Sequence, residues 1–333
     1  LPITSNARRL PAIWNLAARA GAPVALVGWW VTWPAEPVYG YVVSERAYYY
    51  GGRPTAAGSG ERLTWPQGLY RDIAGDVQRY DQVSLEQARR FVSVGAEDWA
   101  AALRRGRGDA RDALAELPYF LSLFETNRRH ALSLVARGRA EFGRVPDLMV
   151  LFRLIDQVCH TSLQHSDLVS EHVESSEGGR AAFGRSVAEA YRQADAVVGE
   201  LTAACGPGCN VLVLSDHGFE LEEFPGGLRR YHHRDAPAGL FAAAGPAFRP
   251  GRVEGLGVLD VMPLLAYLKG LPLAEDLKGR LPGELLRPEL LAALPPRGVP
   301  SYGTRARPES LEAASGEVDA AMLERLRALG YID

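Results

Sequence analysis

Acidic and histidine side chains follow two apolar segments of this 333-residue chain, at spacings that suit a metal site. Asp156 and His160, four residues apart, come at the end of the apolar run 148–155. Asp216 and His217 come after a second, shorter apolar run. In open α/β sheets the carboxyl ends of parallel strands line the ligand crevice, so side chains that follow different strands can meet there. The two segments therefore predict ligands that converge at one edge of a sheet.

The types of these side chains indicate the metal chemistry. Carboxylate oxygen and imidazole nitrogen, without thiolate, suit a catalytic zinc or manganese site better than a structural zinc site. Two clusters indicate two divalent ions, and ions about 4 Å apart can hold the attacking and the leaving oxygen of an in-line phosphoryl displacement. His232 and His233 offer a further imidazole, and the sequence leaves open which of them is a ligand.

Each motif alone has a simpler interpretation. An Asp-x-x-x-His spacing is common by chance, Asp216 alone would cap a turn, and adjacent histidines usually lie on the surface. His130, His165 and His172 lie in polar helical or loop stretches, so we expect structural or surface roles. Cys159 is expected to be a small buried hydrophobic residue. The joint occurrence of the motifs, in this order, favours a metal centre.

Alternating helix and strand patterns must position these ligands. Apolar residues at helical spacing over residues 7–20 predict a helix, with Asn6 as its cap and Gly21 as its stop. The buried strand Val24–Gly28 follows closely, as in a parallel α/β sheet. Further strands are predicted at 148–155, 211–214 and 240–244, and further helices at 180–204 and 260–268. We expect an α/β fold, a three-layer α/β/α sandwich with a mostly parallel central sheet.

The domain organisation follows from changes in composition. Residues 60–140 are rich in Arg, Ala and Glu at helical spacing with no strand run, which predicts a helical insertion over the sheet. We expect residues 1–310 to form one partial catalytic domain, and residues 311–333 to form an amphipathic C-terminal helix or tail.

Composition excludes several classes of protein. The net charge of −3 shows no basic excess, so there is no nucleic-acid-binding signature. No apolar run is long enough to span a membrane.

Cys205 and Cys209 could pair in an oxidising compartment, but two free thiols on a turn are the simpler interpretation. The chain begins at Leu1 without a signal peptide, which leaves the compartment undefined, and the oligomeric state is equally undefined.

The segment Val211–Gly218 resembles the metal-binding strand of the alkaline phosphatase superfamily, and most closely that of its type I phosphodiesterase/nucleotide pyrophosphatase family. Residues 28–36 (Gly-Trp-Trp-Val-Thr-Trp-Pro-Ala-Glu), 146–160 and 326–331 are similar to a bacterial subgroup of that family. The resemblance implies an alkaline phosphatase-like fold and hydrolysis of a small-molecule phosphate ester with two divalent ions, zinc or manganese.

The resemblance also implies roles for single residues. Asp156, His160 and a later histidine, His233 in preference to His232, would hold one ion. The pair that follows Val211–Leu214 would hold the second.

The family completes the second site with an N-terminal Asp and a Thr or Ser nucleophile, and neither has a match in this chain. The stretches of this chain that contain Thr4, Ser5 and Thr32 resemble family segments that lie after the nucleophile. We therefore expect the nucleophile segment, with a central strand of the sheet, to be missing.

Several alternatives stay open at this stage. A sulfatase, a phosphomonoesterase, a phosphoglycerate mutase-like enzyme or a phosphonate-cleaving enzyme would share the metal scaffold. The Trp-Pro-Ala-Glu stretch at 33–36 favours the phosphodiesterase branch. A non-catalytic metal-binding relative is also possible, although the presence of five ligand residues argues against loss of the site.

A turnover assay tests the expectation of a missing nucleophile. With added zinc or manganese, residues 1–333 should hydrolyse bis(p-nitrophenyl) phosphate at or near the uncatalysed rate, because covalent catalysis needs the missing hydroxyl. Robust turnover by this chain alone would refute the expectation.

Overall fold

The fold was analysed in a computed structural model that describes residues 4–47, 62–106 and 112–305, apart from Pro225 and Ala236. The predicted tail helix therefore lies outside the described residues. The architecture is mixed α/β with a mostly parallel central sheet, which confirms the predicted fold class. None of the helices in the described residues has the length and apolar character that crossing a bilayer requires.

The helices lie before, between and after the strands. They are α1 Ile13–Arg19, α2 Leu69–Asp72, α3 Leu85–Phe91, α4 Ala96–Arg105, α5 Ala113–Phe142, α6 Leu154–Ser162, α7 Glu177–Phe183, α8 Ser186–Cys205, α9 Val261–Leu268 and α10 Pro288–Ala293. The strands are β1 Val24–Val27, β2 Gly40–Val43, β3 Thr64–Trp65, β4 Asp147–Val150, β5 Val211–Leu214, β6 Glu220–Phe224, β7 Leu228–His232, β8 Phe241–Ala244, β9 Leu273–Ala274 and β10 Gly298–Val299.

Strand β1 forms the centre of the fold. The main sheet has the order β3-β2-β1-β4, in which β1 is parallel to β2 and β4, and β3 is antiparallel to β2. All four β1 side chains are fully buried. Val24 and Leu26 share a core cluster with α1 and α9, whereas Ala25 and Val27 share one with α5. Because successive strand residues point to opposite faces, helices cover both sides of the sheet.

The apolar run 148–155 is not one strand, which corrects the sequence prediction. Strand β4 ends at Val150, and the Leu151 N–H donates to the Val27 carbonyl at 3.0 Å. Helix α6 begins at Leu154, so Asp156 lies in its first turn and not at a strand end. A continuous apolar run cannot by itself distinguish a buried strand from a buried helix, and here it contains both.

Other boundaries also differ from the prediction. Helix α1 begins at Ile13 and not after Asn6, because Pro11 disfavours helical backbone at the residue before it. The helix predicted at 180–204 is two helices that separate at Gly184. Residues 62–106 and 112–142 are mainly helical, but β3 adds a short strand to the sheet.

Strand β5 does not join the main sheet in the described part of the chain. It pairs antiparallel with β8, and β6 and β7 form a separate hairpin that the sequence analysis did not predict. Strand β6 carries Glu220, Glu222 and Glu223. With three charged residues among five, its sequence lacks the regular apolar alternation that indicates a strand.

Buried polar groups hold the loop that follows β1. The Glu45 carboxylate accepts the N–H groups of Thr32 and Trp33 at 3.1 and 2.9 Å, and the Thr32 hydroxyl at 2.9 Å. Burial raises the pKa of Glu45, although the hydrogen bonds from Thr32 and Trp33 oppose the rise. Beneath the loop, buried Asn127 of α5 donates to the Leu151 carbonyl at 3.1 Å. These contacts join the loop after β1 to the segment after β2, and α5 to the loop after β4.

Gly28 tests this packing. Its φ is +67°, and a Cβ there would lie 2.6 Å from Asn127 Nδ2. The substitution Gly28→Ala should lower the free energy of unfolding by about 2 kcal/mol or more, through backbone strain and overpacking. Chemical denaturation measures the change.

Gly199 provides the matched control. It is exposed inside α8, and its Cβ would meet no atom within 4 Å. Gly199→Ala should be neutral or stabilising by up to about 1 kcal/mol, because Ala is the better helix former. Equal effects of the two substitutions would contradict the packing described for Gly28.

Candidate metal centre

Asp156, His160 and His233 each bring one donor atom to a common point. His160 Nε2 lies 3.0 Å from His233 Nε2 and 3.5 Å from Asp156 Oδ1, and His233 Nε2 lies 3.9 Å from Asp156 Oδ1. Ligand atoms about 2.0–2.1 Å from a tetrahedral zinc ion are about 3.3 Å from one another. The three donor atoms therefore fit three corners of such a site.

Two elements bring these donors together. Asp156 and His160 are four residues apart on α6, so they share one face of the helix. His233 directly follows β7, the second strand of the hairpin. Arg229 and Arg230 of β7 form ion pairs with Glu171 and Glu174 at 2.8 and 3.3 Å. These pairs join the hairpin that leads to His233 to the segment after α6.

The site favours neutral imidazole. The side chains of His160 and His233 are only 4% and 8% exposed. Burial, together with the neighbouring rings of His160 and His217, lowers the pKa of His233 to about 4. A neutral imidazole keeps the lone pair that metal binding requires. Burial raises the pKa of Cys159 to about 12, so this residue stays a thiol, as expected of a buried hydrophobic residue.

The geometry distinguishes His233 from His232. His232 Nδ1 accepts the Arg234 backbone N–H at 3.1 Å, so a neutral His232 carries its proton on Nε2. Nδ1 also lies 3.9 Å from a carboxylate oxygen of buried Glu222. The His232 ring stacks on the His233 ring, with centroids 4.8 Å apart. His233, and not His232, belongs to the group of converging donors in the described residues.

The second predicted pair lies against the first group. The ring of His217 is nearly parallel to that of His233, with centroids 4.1 Å apart. His217 Nδ1 donates to the Gly218 carbonyl at 3.2 Å, which leaves Nε2 as the basic nitrogen, 3.7 Å from Asp216 Oδ1. The Asp216 side chain is 79% exposed. The structure thus brings the two motifs to one place, although Asp216 lies at its rim.

Two residues beside the histidines also shape the site. Gly218 permits the close approach of Pro237, because a Cβ at Gly218 would lie 3.0 Å from Pro237 Cγ. Phe219 was missed. Its ring contacts His160 and His233 edge to face, with centroids 5.0 and 5.2 Å away. An aromatic residue directly after Asp-His-Gly is a weak signal, but it could have indicated an apolar wall of the site.

Comparison with known protein families gives a match over most of the chain. The profile of the type I phosphodiesterase / nucleotide pyrophosphatase family matches residues 4–246, which include both ligand motifs. The searches of curated proteins and of solved structures found no match. Because the matched region covers most of the chain, this protein belongs to the type I phosphodiesterase/nucleotide pyrophosphatase family, within the alkaline phosphatase superfamily.

Proposed function

We propose that this chain carries the metal centre of a phosphodiesterase or nucleotide pyrophosphatase that acts with two divalent ions, zinc or manganese. The observation that carries the proposal is the convergence of Asp156, His160 and His233 within 4.8 Å of one another. Family membership supports a hydrolase of phosphate esters. It also favours phosphate over sulfate esters.

The residues would divide into two ligand sets. Asp156, His160 and His233 would hold one ion, and Asp216 with His217 would contribute to holding the other. Bound divalent ions would polarise the phosphoryl group and stabilise the charge that develops during displacement. Phe219, wedged against the rings of His160 and His233, would exclude water from one side of the site.

Substitution of single ligands tests the first site. Asp156→Asn, His160→Ala and His233→Ala should each weaken zinc binding at least about 100-fold, because even residues that only support metal ligands contribute about 10–100-fold. Competition titration with a chromophoric chelator measures the affinity, and thermal melting checks that each variant folds.

His232→Ala is the matched control, since it removes an adjacent imidazole outside the converging group. Its zinc affinity should fall less than about 10-fold. Asp216→Asn should leave the zinc held by Asp156, His160 and His233 in place by elemental analysis, because Asp216 lies outside that group. The ligand assignment would be wrong if His232→Ala lost zinc and His233→Ala retained it.

A panel of esters tests the reaction class without requiring turnover. Calorimetry of bis(p-nitrophenyl) phosphate, p-nitrophenyl phosphate and p-nitrophenyl sulfate should detect binding of the phosphate esters only when zinc is bound. The physical reason is that desolvated cations attract the more strongly charged phosphoryl oxygens. Binding that does not depend on zinc, or that favours the sulfate ester, would contradict the proposal.

A further inference from the structure

We propose that Arg153, stacked on Trp30, is an oxyanion-binding residue that contacts the phosphoryl group of a bound ester beside the metal centre. The inference rests on the proposed function for the identity of its ligand, a phosphate ester or phosphonate. The structure places the guanidinium carbon of Arg153 4.8 Å from the centre of the Trp30 ring. Both residues are partly exposed.

Arg153 lies one helical turn before the first of the proposed ligands. Arg153 is the N-cap residue of α6, and Asp156 and His160 follow it by three and seven residues. At 3.6 residues per turn these three residues lie within an arc of about 60° on one face of the helix. The first ligand is therefore one helical turn from Arg153, a distance that an arginine side chain and a phosphoryl group can bridge together.

The loop that carries Trp30 has a fixed backbone. Glu45 binds the N–H groups of Thr32 and Trp33, and Arg46 stacks on Trp33 with 4.0 Å between guanidinium carbon and ring centre. Val31 has a φ of +61°, which is a strained conformation for a β-branched residue. Strain that the surrounding contacts enforce is typical of functional loops. Here it sits directly beside the half-exposed ring that Arg153 contacts.

Stacking suits an arginine for anion binding. The contact with an indole uses a flat face of the guanidinium, whereas hydrogen bonds to an oxyanion use its edge. An arginine whose plane is already fixed loses less rotamer entropy when it binds two oxygens at once. Trp30 would therefore be a positioning residue, which acts through Arg153.

Two other arginine–tryptophan pairs are buried or engaged in ion pairs inside the protein. Arg46, which stacks on Trp33, is 6% exposed. Arg8, which stacks on Trp14, forms an ion pair with Glu36, and this glutamate also receives the Trp14 N–H. The Arg153–Trp30 pair instead joins the loops that follow the parallel strands β1 and β4, at the carboxyl edge where ligands bind in such sheets.

Calorimetric titration with phenylphosphonate, a stable phosphate ester analogue, tests the inference on the full chain with and without zinc. Arg153→Met should raise the Kd at least 10-fold, and Arg153→Lys should raise it less. Trp30→Leu should raise it about 3-fold. The double variant should bind no more weakly than Arg153→Met, since Trp30 acts through Arg153. Zinc affinity should be unchanged in all of them.

Arg252→Met is the control for loss of a positive charge, because the Arg252 side chain is 89% exposed. Its Kd should stay within 2-fold of the wild-type value. The inference is overturned if Arg153→Met binds phenylphosphonate as the wild type does, or if the wild-type chain binds none. Failure of the wild-type chain to bind zinc counts against the proposed function instead, while Arg153-dependent binding without zinc would still support the inference.

Discussion

The close approach of two imidazole nitrogens is the constraint on which the site depends. His160 and His233, 73 positions apart in the chain, place their Nε2 atoms 3.0 Å apart. Two imidazolium rings at this distance would repel each other in a site with little solvent, so the pair is stable only with at most one proton between the two Nε2 atoms, or with a shared cation there. The neighbouring carboxylate of Asp156 supplies the negative charge that such a cation would require.

The rest of the fold serves to hold this pair. Helix α6 packs against α5 and α8, and its buried residues Leu154 and Val158 belong to the largest core cluster. The hairpin β6–β7 reaches the same place from the other side, with Phe219 and Tyr231 packed against that cluster. Strand β1 pairs with β4, and three residues separate the end of β4 from the start of α6. The site thus combines a rigid helix with a hairpin held by ion pairs.

The sequence indicated the residues that converge better than the elements that carry them. Asp156, His160 and His217 could be singled out because their motifs occur together, in this order, after apolar runs, although each motif alone has a simpler interpretation. The choice between His232 and His233 needed three dimensions, because the two rings stack on each other and only their contacts distinguish them. His232 Nδ1 accepts the Arg234 N–H, whereas His233 Nε2 lies 3.0 Å from His160 Nε2. Likewise, the apolar run 148–155 concealed the turn that places Arg153 beside Trp30, since strand and helix core residues are equally apolar.

Diffraction from crystals soaked in zinc, recorded on both sides of the zinc absorption edge, tests the central claim most directly. The account predicts an anomalous peak about 2.0–2.1 Å from His160 Nε2, His233 Nε2 and a carboxylate oxygen of Asp156. A peak beside the thiols of Cys205 and Cys209, with none between the two imidazoles, would contradict it.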